Sequence, residues 1–269
     1  MTSVAAPRPR AAAWRAGPLV RVGRGVAALL VASLLLSGMA GGLLRAGVAL
    51  PIGPSEALVG QAMTIAAERL EMTRLLRRRR GAQLLFFVIL AALLLAIGVS
   101  AVAPSAGGLL YGAALLLLAI WLGVFDIARL TLHAHGLSRY MAVCLLGGYA
   151  WLALAGLAWA ATAVGWPARD AALHALGLGF IFSMIMGHAP VILPAIARLK
   201  LSFGWPFYLP LALLHLGLLL RLAMGALEPS WRSIGAALNV VAIVWFALTV
   251  VAAALHWRFT TKEGLRRCA

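Results

Sequence analysis

Charge is scarce in this chain. Asp and Glu together number 7, and all charged residues make up 11% of the 269. A soluble chain carries about one quarter charged residues, so this poverty, set beside 64% apolar content and a mean hydropathy of +0.99, excludes an ordinary soluble domain. The shortage of acids also argues against a carboxylate-driven proton or sodium transporter, since only Glu56 and Asp126 are candidates for a place at depth within a span. Cysteine is scarcer still. Cys144 lies in an apolar run and Cys268 is one residue from the end, which makes neither a disulfide framework nor a zinc site. The sequence has no phosphate-cradling glycine loop with its Lys and Ser or Thr, no His-Glu-x-x-His and no Gly-x-Ser-x-Gly elbow, so the common signatures of nucleotide, zinc-peptidase and esterase chemistry are missing. Nothing marks the chain as an enzyme on its own.

What the chain has is long apolar runs. A helix needs about 20 such residues to cross the hydrocarbon, because lipid offers no partner to an unpaired backbone group. Seven runs qualify: Ala27 to Leu50, Leu84 to Ala103, Leu109 to Leu130, Met141 to Ala163, Ala172 to Ile196, Phe207 to Leu227 and Ile234 to His256. An eighth, Glu56 to Leu76, is apolar in its first half and carries Glu68, Arg69, Glu71 and Arg74 in its second. The expected fold is an all-α polytopic transmembrane bundle. Trp166, Trp205, Trp231 and Trp257 fall at predicted span ends, as an interfacial aromatic belt does.

Basic residues accumulate in cytoplasmic loops, and this decides between seven spans and eight. With eight spans and an inside N-terminus, 19 of the 23 basic residues lie on the cytoplasmic side, including Arg8 to Arg24, Arg69 to Arg80 and Arg258 to Arg267. Arg169 and Arg232 lie outside, and Arg45 and Arg221 within spans. Seven spans would strand either the five-arginine tail or Arg77 to Arg80 outside. The reading is therefore eight spans with both termini cytoplasmic in a bacterial inner membrane. Residues 1–24 form a basic, disordered tail, 25–258 a single transmembrane domain and 259–269 a short basic tail. The formal charge of +16 serves topology and contact with anionic lipid; nucleic acid is not an expected partner.

Ionisable groups at depth are costly, so each is a functional candidate. At about 1.5 Å per residue they fall into two layers. In the inner layer, His188 and His215 each lie about 12 Å from the cytoplasmic side on consecutive helices. Gly187-His188-Ala189-Pro190 makes a bent polar spot, since proline leaves the carbonyl of Met186 without its usual donor. Paired imidazoles suit haem iron or copper; the plain structural reading is that each hydrogen-bonds a neighbouring carbonyl, and proton or substrate handling is a third. Asp126, His133 and His135 would extend this layer inward.

The outer layer holds Arg45, Glu56, His174, Arg221 and Asn239. His174, Ile181 and His188 recur every seven residues, which puts both histidines on one helix face about 21 Å apart. Arginines there would face an anion such as a haem propionate; alternatively Arg45 and Arg221 snorkel to headgroups or pair with Glu56 and Glu228. His256 is interfacial.

The stretch from Asp170 to Leu222, with His174-Ala175-Leu176-Gly177-Leu178-Gly179-Phe180 and then Met186-Gly187-His188-Ala189-Pro190, resembles the NnrS family of polytopic bacterial membrane proteins associated with haem, copper and the response to nitric oxide. It covers about a fifth of the chain. The resemblance implies ligand roles for His174 and His188, with His215 added from depth. The resulting expectation is an inner-membrane protein binding b-type haem or copper through His188 and His215, supported by His174 and Arg221, with a respiratory or nitric-oxide-response role and a redox or membrane partner protein. Two alternatives stand beside it: a channel or carrier for a small neutral or anionic solute, lined by the kinked sixth span and the outer arginines, and a non-catalytic membrane subunit or assembly factor.

Overall fold

The computed structural model describes residues 80–197 and 201–267, which are helices joined by short turns, with no strand among the described residues. Six helices are long and apolar enough to cross a membrane. They are α1 (Arg80–Val102), α2 (Pro104–Phe125), α3 (Leu137–Ala163), α4 (Arg169–His174, Ala175–Phe182 and Ser183–Ala197 end to end), α5 (Trp205–Phe207 running on through Tyr208–Leu219, Leu220–Met224 and Gly225–Leu227) and α6 (Ser230–Arg267). They correspond one for one to the last six predicted spans. The predicted spans Ala27 to Leu50 and Glu56 to Leu76, with Arg45 and Glu56, lie outside the described residues.

Several boundaries differ from the hydropathy reading. Pro104 opens α2 directly after Ala103, so the segment expected as a loop is the first turn of a helix; a proline at that place loses no hydrogen bond and brings a helical φ with it. α2 ends at Phe125, and Asp126 caps it in extended conformation instead of lying inside the span. Its Oδ1 accepts the backbone N–H of Ala128 at 2.9 Å, starting the one-turn helix Ala128–Thr131. α6 runs on to Arg267, beyond the expected boundary at residue 258.

The helices pack in chain order. α2 lies between α1 and α3, α3 also meets α4, and α5 and α6 form a pair that joins the rest through α4 and through the bond between Trp151 of α3 and His215 of α5. Lipid-tail-like side chains give helices little reason to prefer one another over a bilayer, so close backbone approach carries the association. Gly112 of α2 and Gly156 of α3 show this. A Cβ at Gly112 would sit 2.6 Å from the Gly156 carbonyl oxygen, and one at Gly156 would sit 2.7 Å from that of Gly112. The largest cluster of buried side chains runs from Phe86 and Leu93 through Leu118, Trp121 and Leu152 to Phe180. A second cluster joins Tyr140, Cys144 and Met186 to Phe207, Leu214 and Phe246. One buried polar link crosses α2 and α3: Tyr149 donates its hydroxyl proton to Asp126 Oδ2 at 2.6 Å, which with the Ala128 bond satisfies both carboxylate oxygens.

Two helices contain wide turns. Ala175–Phe182 in α4 and Leu220–Met224 in α5 are π-helical, whereas α4 continues as an α-helix through Pro190 and Pro194. The predicted distortion at Pro190 therefore has a counterpart about two turns earlier in the chain. The π segment also lies between His174 and His188, so the seven-residue register that placed them on one face does not hold.

Candidate functional site

The two π segments direct attention to one end of the bundle, where Trp166–Asp170 meets the end of α5 and the start of α6. Gly165 sets the approach. Its φ of 93° lies in the left-handed region, the N–H of Trp166 reaches back to the carbonyl of Ala161 at 3.0 Å, and that of Gly165 reaches Thr162 at 3.1 Å. This pair of bonds closes α3 and turns the chain sharply toward α4, a conformation that a side chain at 165 would strain. Asp170 follows in the first turn of α4, where the helix N-terminus favours a negative charge.

Asp170 holds two partners. Arg221, in the π segment of α5, donates from Nη2 to Asp170 Oδ1 at 2.9 Å. His174, where the π segment of α4 begins, places Nδ1 2.8 Å from the Asp170 backbone oxygen and 3.2 Å from Oδ1. His174 and Arg221, assigned to one outer layer from the sequence, thus meet through Asp170. The sequence reading offered Glu56 or Glu228 as the arginine's partner; Glu228 instead accepts from Ser230 at 2.8 Å. The signal that could have found Asp170 is its position four residues before His174, one turn away on the same face.

Beside this cluster is a half-open cavity of about 210 Å³, lined by Trp166, Asp170, Arg221, Leu222, Ala226 and Arg232 among others. Arg232 is anchored by its Nε, which donates to the carbonyl of Gly225 at 2.8 Å. Gly225 makes room for it: a Cβ there would lie 2.5 Å from Arg232 Cγ. Two guanidinium groups against one carboxylate leave the cavity wall net positive. The Arg221 side chain is only 18% exposed, and its Nε is buried with no hydrogen-bond partner. A buried charged donor without a partner is costly, and a site that leaves one is suited to receive an acceptor.

The predicted inner layer is arranged differently. Trp151 of α3 donates its indole N–H to Nδ1 of His215 at 2.7 Å, and the two rings are within 7° of parallel at a centroid separation of 6.2 Å. At that separation and bond length they lie edge to edge in nearly one plane. Because indole only donates, Nδ1 of His215 accepts, and the neutral ring carries its proton on Nε2. Gly147 gives the ring its space, since a Cβ there would be 3.1 Å from Nε2. His188 has the opposite polarity at Nδ1, which lies 2.6 Å from the Met184 carbonyl oxygen and so bears the proton. That is the tautomer a metal-ligating histidine adopts, with Nε2 left as an acceptor. His215 as held does not fit a metal: its one lone pair faces the indole. Gly187 packs toward Cys144, and no group of three or more His, Cys, Asp or Glu gathers to hold a metal ion among the described residues. His133, His135 and His256 are exposed.

A family model described as a domain of unknown function, DUF8744, matches residues 55–255, well over half of the chain. The match begins one residue before the predicted span Glu56 to Leu76. No curated protein and no solved structure matches the chain.

Proposed function

The chain belongs to the DUF8744 family, and we propose that it is a multi-pass membrane protein that captures a small oxyanion-bearing solute at Arg221, as the entry site of a carrier. The observation that supports this most is Arg221 itself, half-buried, tied to Asp170 by one bond and left with a buried, unpaired Nε beside a cavity that Arg232 makes net positive. Arginine is the side chain suited to this task, because its fixed fork of donors matches carboxylate or phosphate geometry. Asp170 holds the guanidinium in place when no solute is present and competes with the solute for it. Wide π turns next to both His174 and Arg221 fit a site whose helices rearrange, since such turns cluster at functional positions.

In this reading the bundle has eight spans with both termini cytoplasmic in a bacterial inner membrane, and Arg77 to Arg80 face anionic lipid. The site then opens to the outer side, which is where a solute is taken up. Haem or copper between His188 and His215 is the competing reading; it draws support from the His188 tautomer and requires the Trp151 bond to His215 to break.

The experiment is solute flux. Proteoliposomes containing the full chain are assayed for counterflow of labelled phosphate, sulfate, succinate and succinamate. The expected result is flux of at least one that falls at least tenfold in Arg221→Gln. Flux of none, or flux indifferent to Arg221, overturns the carrier reading.

A further inference from the structure

One turn below Arg221 lies a second polar anomaly. Asn239 of α6 is 3% exposed, and neither its Oδ1 nor its Nδ2 has a hydrogen-bond partner. With Arg221 Nε, this makes three buried polar atoms without partners at one helix crossing. The crossing is built from glycines. A Cβ at Gly235 of α6 would sit 2.6 Å from both the Arg221 backbone nitrogen and the Gly217 carbonyl oxygen, and a Cβ at Gly217 would run into the Asn239 amide. Asn239 therefore sits level with Gly217, four residues inward of Arg221 along α5, or about 6 Å along the helix axis.

Native interiors rarely leave such groups unpaired, because each gives up its hydration without a hydrogen bond in return. Packing does not call for an amide here. Leucine has the branched outline of asparagine, although it is larger, and the nearest backbone is the glycine pair Gly217 and Gly235. An amide differs from leucine by presenting two donors and an acceptor, and it is uncharged. A charged group at that depth would need an opposite charge, whereas a neutral group needs only hydrogen bonds.

Resting on the reading of Arg221 as an oxyanion site, we infer that Asn239 is a specificity-determining residue of that site, the inner end of a two-point grip. Arg221 takes the carboxylate of a short solute, and Asn239 takes a neutral hydrogen-bonding group, an amide or hydroxyl, some 6 Å further in. The ligand class is a four-carbon monoanion with one neutral polar end. The Gly217–Gly235 contact closes the crossing around Asn239, so the solute reaches it as α5 and α6 part at the π segment.

Succinamate and butyrate test this, since they share length and charge and differ in the terminal amide. Each is titrated calorimetrically into the full chain in detergent at low ionic strength. The wild type should bind succinamate roughly tenfold or more tightly than butyrate, because a buried amide left unpaired penalises the ligand that lacks its partner. Asn239→Leu should erase the preference and keep butyrate affinity. Asn239→Ser, which retains a donor and an acceptor, should keep part of it, and serves if the leucine variant does not fold. Equal binding of the two probes by the wild type, or an undiminished preference in Asn239→Leu, overturns the role of Asn239 while leaving Arg221 as an anion site. Binding of neither probe, or binding unchanged in Arg221→Gln, overturns the site itself and this inference with it.

Discussion

Arg221 and Asp170 are 51 residues apart, and the guanidinium Nη2 donates to the carboxylate Oδ1 at 2.9 Å at the end of the bundle where α4 begins and α5 ends. The carboxylate is 45% exposed and the arginine 18%, so the acid faces the solvent side and the base the interior. An incoming anion meets the acid first and must take its place on the arginine.

Asp170→Asn should therefore strengthen anion binding. The variant removes a competing charge from Arg221 and raises the net positive charge of the cavity, and a rise in succinamate affinity of up to about fivefold is expected from weakening one partly exposed ion pair. Calorimetric titration measures it. A loss of affinity would show that Asp170 belongs to the ligand's own contacts.

The Trp151–His215 bond gives a prediction about stability. Trp151→Phe leaves Nδ1 of His215 as an acceptor without its donor inside the bundle, at a cost of about 1–3 kcal/mol, and should lower the thermal midpoint in detergent. Gly147→Ala should act in the same direction by pressing on the His215 ring. On the competing haem reading, freeing Nδ1 would improve ligation. A Soret band in wild-type protein from haem-replete cells, lost on His188→Ala, would establish that reading; a colourless preparation in both wild type and Trp151→Phe goes against it.

Glycines at crossings and glycines facing open space should separate cleanly. Gly112→Leu or Gly156→Leu drives a side chain into the opposite backbone and should unfold or aggregate the chain. Gly123→Ala, in the last turn of α2, meets nothing within 4 Å and should be neutral or stabilising by up to about 1 kcal/mol. Thermal unfolding monitored by far-UV circular dichroism distinguishes them, and equal loss in both classes would refute the packing account.

Much of this architecture was legible before any coordinates. Apolar run length marks all six described spans because a bilayer demands it of any sequence. Boundaries were less legible: hydropathy cannot tell that Pro104 starts a helix or that Asp126 ends one, since both depend on backbone φ and on local hydrogen bonds. Depth arithmetic put His174 and Arg221 in one outer layer, His174 nearer the rim, but depth says nothing of rotation. It matched His188 and His215 equally well, yet His215 turns to Trp151 and His188 to Met184. The π segments were invisible for a related reason. Helical periodicity presumes α geometry, so a wide turn shifts every face after it without any change in composition.

Topology follows from charge placement and has its own test. A cytoplasmic reporter such as green fluorescent protein fused after Arg80 should fluoresce, as the eight-span arrangement with an inside N-terminus requires. An alkaline phosphatase fusion at the same place should be inactive. The reverse pattern would put Arg77 to Arg80 outside and turn the Arg221 cavity toward the cytoplasm.

The central claim is that Arg221 is a binding group rather than a packing device, and equilibrium binding decides it most directly. Succinamate is titrated into the full chain in detergent at low ionic strength, with Arg221→Gln and Arg221→Lys in parallel. The account predicts saturable binding to the wild type, loss beyond detection in the glutamine variant, and only partial recovery with lysine, whose point charge lacks the fork of donors. Binding of equal strength in all three proteins would contradict it.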